Sequence, residues 1–291
     1  MTKLLILGKL TQKVKFIKKG ILSTNQDLGI NGLRHLGVNP SGAMDRFSVR
    51  LLNIALQNDE NQPVLEMHFP APEILFEEDC TIIIGGADFS PMIDNKRIIN
   101  WKTYLIKAGS VLKFKKLIAG SRGYLAINKV ENIFLPYIGQ VSNLNDKKTI
   151  RFTEGNEFEL LTEESKEAFE NQGFTILKDS NRMGYRMSAE SLDVISKKEL
   201  VSSAVDFGTI QLLPSGQIII LMADHQTSGG YPRLGNIISV DLPKLAQMGI
   251  NDTITFKKIS IEEAEELLIM QELELQKLKA SIRFFNDKQK N

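Results

Sequence analysis

The sequence predicts a mainly β protein: two β-rich units followed by one long helix. Three observations carry that expectation. Short apolar or alternating runs, cut by Gly, Asn, Asp and Ser turns, recur from about residue 20 to Phe256. Helical periodicity is confined to a few places, the longest at the C-terminal end. The composition is that of an ordinary globular chain, with 42% hydrophobic and 24% charged residues. Collagen-like, disordered and membrane-spanning classes are thereby excluded.

Taken in order, the first unit (18–144) contains strands at Val64–Phe69, Glu73–Phe76, Thr81–Ile84, Trp101–Lys107, Val111–Phe114 and Gly123–Asn128. Asp94-Asn95-Lys96 joins Pro91–Ile93 to Arg97–Ile99 as a hairpin turn. A helix starts at Ser41, which can cap it, and Phe47, Leu51, Ile54 and Ala55 form its apolar face. The polar run Asn145–Lys148 suits a linker or turn. In the second unit (145–260) the strands are Ile150–Phe152, Phe158–Leu161, Phe174–Leu177, Thr209–Leu213, Gln217–Met222, Ile237–Val240 and Thr253–Phe256. A helix over Glu163–Asn171 has Thr162 as its cap and Gly173 just past its end.

The last segment, 261–285, is an amphipathic helix. Ile261, Ala264, Leu268, Gln271, Leu275, Leu278 and Ile282 recur at steps of three and four. Acids crowd its start and bases its end, as the helix dipole favours. Two readings stay open: a helix packed back on its own domain, or a seam for a homo-oligomer or partner.

With 36 basic and 35 acidic side chains, the chain lacks the basic surplus of a nucleic-acid binder. A lone cysteine, Cys80, in an apolar run excludes an internal disulfide and reads as a packing thiol. The three histidines are far apart, so no metal site is expected. The N-terminal apolar stretch is too short for a signal sequence and no run is long enough to cross a bilayer. The expected location is the cytoplasm. Neither a phosphate-binding Gly-x-x-x-x-Gly-Lys loop nor a Gly-x-Ser-x-Gly elbow occurs.

What does stand out is polar residues in glycine-rich turns. Gln26 and Asp27 precede Gly29. Ser41, Gly42 and Asp45 lie at the expected helix start, where free N–H groups can bind an anion. Asp88 follows Gly85-Gly86. Arg182 and Arg186 flank Gly184, and an arginine there can clamp a carboxylate. The richest segment, Leu221–Pro232, carries Asp224, His225, Gln226, Thr227, Ser228, Gly229, Gly230 and Tyr231. Glycines let a backbone approach a ligand closely. Each group also has a plainer reading as a cap, a turn or a surface charge.

These segments together resemble one family, the C subunit of prokaryotic 5-oxoprolinase, also known as the biotin-dependent carboxyltransferase family or allophanate hydrolase subunit 2. The likeness runs from about Gly20 to about Ala264. It rests on Thr24–Gly29, Gly37–Asp45, Gly86–Asp88, Ser180–Arg186, Phe207–Gln211, Pro214–Gln217, Ala223–Pro232 and Asp241–Gln247. The resemblance implies two cyclophilin-like β-barrels. It implies a B-subunit homologue that binds directly and an A-subunit homologue that completes the complex. It also implies ATP-dependent hydrolysis of 5-oxoproline to glutamate, with ATP engaged through the complex.

Asp45, Asp224 and Arg182 are then the catalytic candidates. Gln26, Asp27, Ser41, Gly42, Asp88, Gln211, Gln217, Gln226, Thr227, Gly229, Gly230 and Tyr231 are the substrate- or nucleotide-binding ones. Against the family pattern, Asn181 replaces an acid, and Lys129–Glu131 and Gly139–Asn143 depart from the usual Gly-rich motifs. These departures bear on catalysis rather than on fold. Two further functions fit the resemblance. One is a non-catalytic antagonist of a kinase inhibitor that is itself like the B component. The other is a carboxyltransferase acting on urea or a similar amide, with biotin on another protein because this chain has no attachment site.

Overall fold

The computed structural model describes residues 14–128, 148–196 and 200–290. The first eleven residues, Lys129–Glu131, Gly139–Asn143 and all of the expected linker except Lys148 lie outside them. The chain divides into two compact units. One takes Met1–Leu28, Asp45–Leu144 and Glu272–Asn291; the other takes Gly29–Met44 and Asn145–Gln271.

The first unit contains β1 (Val14–Lys18), β2 (Ser23–Gln26), α1 (Arg46–Ala55), β3 (Val64–Met67), β4 (Glu73–Phe76), β5 (Cys80–Asp88), β6 (Pro91–Ile93), β7 (Lys96–Arg97), β8 (Thr103–Ile106), β9 (Val111–Phe114) and β10 (Ala119–Asn128). They form two five-stranded sheets, ordered β1-β4-β9-β6-β7 and β2-β3-β10-β5-β8. Met67, Ile74, Phe76, Ile82, Phe89, Leu112 and Leu125 fill a shared core, with Cys80 buried among them. The hairpin at Asp94-Asn95 forms as expected. Both residues adopt positive φ (48° and 65°), the conformation a tight hairpin demands and Asp and Asn tolerate.

Helix α1 begins five residues later than expected. Asp45, not Ser41, is its cap: the carboxylate accepts the Ser48 N–H at 2.8 Å and the Ser48 hydroxyl at 2.6 Å. A carboxylate accepts orphan amides as a hydroxyl does, and its charge also opposes the positive helix end. Behind it, the Asp45 N–H donates to the Tyr124 hydroxyl (3.0 Å), which donates to Glu66 (2.9 Å). All three residues are buried. Burial, then the charges of Glu66 and Asp45, push the Tyr124 phenol well above its ordinary pKa.

The second unit contains β11 (Thr149–Glu154), α2 (Glu163–Asn171), β12 (Phe174–Ile176), β13 (Gly184–Ser188), β14 (Ser203–Ala204), β15 (Thr209–Leu212), β16 (Ile218–Leu221), β17 (Ser228–Gly229), β18 (Arg233–Ile237), α3 (Leu242–Ala246) and β19 (Thr253–Lys258). Seven strands close into a barrel in the order β11-β18-β15-β16-β13-β12-β19. Phe152, Phe158, Phe169, Phe174 and Phe256 pack together in its core. Helix α2 forms over the expected residues, with Thr162 accepting the Ser165 N–H.

Mainly β architecture with a C-terminal helix is therefore what the chain adopts. Individual elements differ. Phe158–Leu160 is a 3-10 turn rather than a strand, because Gly155 and Glu157 bend the chain to drop Phe158 into the core. The strand expected at Ile237–Val240 lies earlier, at β18. Its Gly235 sits where a Cβ would meet Phe152 at 2.6 Å.

Helix α4 (Ile261–Lys290) runs past its expected end at 285. Of its regular apolar positions, Leu275 and Ile282 are buried, while Ile261 and Leu268 are exposed. Within the first unit, its residues from 272 onward are tied down by ions. Arg50 binds both Glu272 and Glu60, and Lys279 reaches Glu60 at 2.6 Å. Burial raises the Glu60 carboxyl, but Lys279 and Arg50 outweigh it and hold it below its ordinary 4.5. A depressed carboxyl stabilises the fold above its unfolded pKa and loses that contribution as pH falls through the folded value. As pH falls from about 4.5 toward that lower folded value, the urea midpoint of the wild type should therefore fall more steeply than the midpoint of Glu60→Gln. Parallel curves would refute the tie.

Candidate functional site

The site lies in the second unit and starts from a strained loop. Gly29 has φ of +87°, and a Cβ there would sit 2.6 Å from the Ser41 carbonyl and 2.7 Å from that of Pro40. Only glycine allows this approach. The Ile30 N–H donates to the Pro40 carbonyl at 2.8 Å, closing the loop. Ser41 and Gly42 both take positive φ, 53° and 88°, at its tip. A serine in that region is uncommon and is held there by its surroundings.

What holds it is a partly buried ionic cluster. The Ser41 hydroxyl donates to Asp224 Oδ1 at 2.6 Å. Arg182 grips the same carboxylate with Nε to Oδ2 (2.8 Å) and Nη2 to Oδ1 (3.2 Å), and Nη2 also donates to the Gly42 carbonyl (2.5 Å). Asn39 Nδ2 reaches the Asp224 carbonyl at 3.3 Å, and the Asp224 N–H donates to the Arg182 carbonyl at 2.8 Å. The Arg182 side chain is 12% exposed and that of Asp224 28%. Bidentate guanidinium–carboxylate pairing fixes distance and plane together. The cluster thus presents a hydroxyl and a carboxylate in fixed geometry, against a loop with strained backbone.

A cleft of about 540 Å³ opens beside it on the outer face of the barrel. Its floor follows from strand alternation. Ile210, Leu212, Ile218, Ile220, Tyr185 and Met187 point into the core, so their neighbours face outward. Gln211 pairs with Ile219, Ile219 with Arg186, and Leu221 with Gly184. Asn181, Met183, Gln226 and Tyr231 line the rim. Gln211 is 1% exposed, and neither its amide oxygen nor its nitrogen has a hydrogen-bond partner among the described residues.

The structure thus brings Ser41, Gly42, Arg182 and Asp224 into one cluster, and Gln211, Gln226 and Tyr231 to one cleft. Gly229 lies over Gln211, and Gly230 lies beside Leu200 and Ser202. The Thr227 carbonyl accepts the Val205 N–H. His225 is fully buried, its Nδ1 against the Gln226 carbonyl at 2.5 Å. Gln217 sits in the β15–β16 turn, at the opposite end of β16 from Asp224, where its carbonyl accepts the Leu213 N–H.

Four candidates belong to the first unit instead. Asp45 caps α1, the Gln26 amide donates to Thr24, Asp88 closes a turn through the Ser90 N–H, and Asp27 follows β2. Sequence reasoning missed Asn39 and the exposed Arg34–Asp206 pair, whose members are distant in the chain. Burial raises Asp206, but its hydrogen bonds from Arg34 and the Phe207 N–H prevail and lower it. It also missed Glu66 and Tyr124. An acid inside the apolar run Val64-Leu65-Glu66-Met67 was the signal available.

Among the described residues no three His, Cys, Asp or Glu side chains converge as a metal site would, and no helix is long and apolar enough to cross a membrane. Comparison with known proteins adds a family. The pattern described as "Carboxyltransferase domain, subdomain A and B" matches residues 36–142 and 132–258. The chain is 32% identical to the 5-oxoprolinase C subunit of Haemophilus influenzae over 88% of this chain and 94% of that one. It is 30% identical to the 5-oxoprolinase C subunit of Escherichia coli over 86% and 93%. Among solved structures, the K. lactis urea amidolyase superposes with a TM-score of 0.83 at 22% identity, covering 91% of this chain and 20% of that much longer one. The chain therefore belongs to the carboxyltransferase-domain family, as a protein carrying both subdomains A and B.

Proposed function

We propose that this chain is the C subunit of an ATP-dependent 5-oxoprolinase, acting with A and B homologues to open 5-oxoproline to glutamate. The observation that carries the reading is similarity over nearly the full length of two proteins bearing that name. The geometry of the second unit is compatible with it. A lactam is a poor electrophile. Transfer of a phosphoryl group from ATP to its oxygen, releasing ADP, lets water add at the carbonyl carbon; the C–N bond then breaks as the nitrogen takes up a proton, and a second water displaces phosphate from the acyl phosphate to leave the carboxylate. Such chemistry needs fixed donors toward the developing charge and a positioned acceptor for a proton. Arg182 and the backbone at Ser41–Gly42 supply donors, and Asp224 supplies the acceptor. ATP is the phosphoryl donor, engaged through the assembled complex.

The test is glutamate release from 5-oxoproline by the chain reconstituted with A and B homologues, with and without ATP. ATP-dependent glutamate that vanishes when this chain is omitted is the expected result. A complex that assembles and releases none would overturn the reading and leave a binding role.

A further inference from the structure

We propose that the Gln211 carboxamide is the specificity element of the outer-face cleft, reading an amide whose N–H lies on the same side as its carbonyl. The assignment rests on the reading of this chain as part of an amide-hydrolysing complex and specifies what that site recognises. Gln211 points outward from β15, is 1% exposed and lines the cleft, yet neither amide atom has a partner among the described residues. A buried amide with both ends unpaired is costly. A sheet surface covered by Ile219 and Leu221 has no structural use for one, since leucine would fill the space.

The cover over it is equally specific. Gly229 lies so close that a Cβ would sit 2.6 Å from the Gln211 nitrogen. Gly229 belongs to the two-residue ribbon of Ser203–Ala204 and Ser228–Gly229, a light cover that a ligand displaces to reach the amide.

A primary carboxamide offers one acceptor and one donor side by side. Its complement is a group with N–H and C=O on one edge. A lactam has that edge because its ring forces the amide cis, and urea has it because its nitrogens carry hydrogens on both sides. An extended secondary amide holds its N–H and C=O on opposite sides and satisfies only one end. A lactone or an N-methyl lactam lacks the donor and leaves the Gln211 oxygen unpaired. Each such mismatch should cost at least about tenfold in affinity.

The experiment titrates the full chain, alone and with its A and B homologues, with four probes: 5-oxoproline, urea, the N-methyl lactam and the corresponding lactone. It is repeated with Gln211→Leu and Gln211→Glu. Gly229→Ala, which pushes the carboxamide aside, is an independent variant. Wild type should prefer 5-oxoproline to lactone and N-methyl lactam by at least about tenfold. Gln211→Leu and Gly229→Ala should erase that preference, and Gln211→Leu should melt no lower than wild type. An unchanged preference in Gln211→Leu, or a lower melting temperature, would overturn the assignment while leaving the oxoprolinase reading intact. Gln211-dependent binding of urea without binding of 5-oxoproline would keep the assignment and overturn the oxoprolinase reading. Binding of neither by wild type, alone or assembled, would overturn both.

Discussion

An Arg182→Ala chain should assemble normally and release glutamate about 100-fold more slowly than wild type, the scale of loss expected when a site is misplaced by about 1 Å. Arg182 makes two bonds to Asp224 and one to the Gly42 carbonyl. Its removal takes the guanidinium from the Asp224 carboxylate at a largely covered position, where the Ser41 hydroxyl still donates. It also frees a loop whose tip holds two residues at positive φ. Lysine should not restore function, since a point charge cannot reproduce the planar grip. Asp224→Asn preserves shape but removes the proton acceptor, and should lose at least as much turnover as Arg182→Ala, about 100-fold or more. The decisive measurement is kcat/KM of the reconstituted complex beside thermal unfolding of the free chain. Wild-type turnover in Arg182→Ala would remove this cluster from the mechanism.

Phe169→Ala should cost about 3–5 kcal/mol of stability. Phe169 is fully buried and makes ring contacts with four others: Phe152 at 5.2 Å, Phe158 at 5.8 Å, Phe174 at 5.5 Å and Phe256 at 4.8 Å. The Phe256 pair is stacked, with 2° between planes, and the Phe152 and Phe158 pairs are edge-on. Aromatic pairs of these geometries contribute beyond their buried area. Because Phe169 is the apolar anchor of α2 against the barrel, truncation opens a cavity that a closed sheet cannot collapse to fill. At roughly 2–4 °C per kcal/mol, the melting temperature should drop by about 10 °C. Phe169→Leu should lose much less. A drop of only a degree or two for alanine would show that α2 is not anchored there.

The sequence was legible where local chemistry decides structure. Thr162 with Ser165 marks the start of α2, and Asp94-Asn95 marks a hairpin, because cap and turn geometry depend on neighbours in the chain. It was opaque where distant residues decide. Strand β13 reads as a turn because its outward positions are Gly184 and Arg186, and only pairing with β16 makes it a strand. Helix α1 begins after Asp45, the residue whose amide is received by Tyr124, distant in the chain. Glycine-rich turns pointed to Asp224, Arg182 and Ser41, but nothing local says that these three meet. The Gln211 side chain was one candidate among many in the sequence; its unpaired state appears only once Gly229 lies over it.

The allocation of Gly29–Met44 to the second unit bears on how the protein is made. A growing chain emerges from its N-terminus, so these residues leave the ribosome long before the barrel they complete. Ser41 and Gly42 have neither Arg182 nor Asp224 to grip until the later half is synthesised. The bonds that hold the loop tip, from Ser41 to Asp224 and from Arg182 to Gly42, can therefore form only after the later half has been made. Biosynthesis thus imposes an order: the loop is the first part of the site to be translated and must wait for its partners before it can settle.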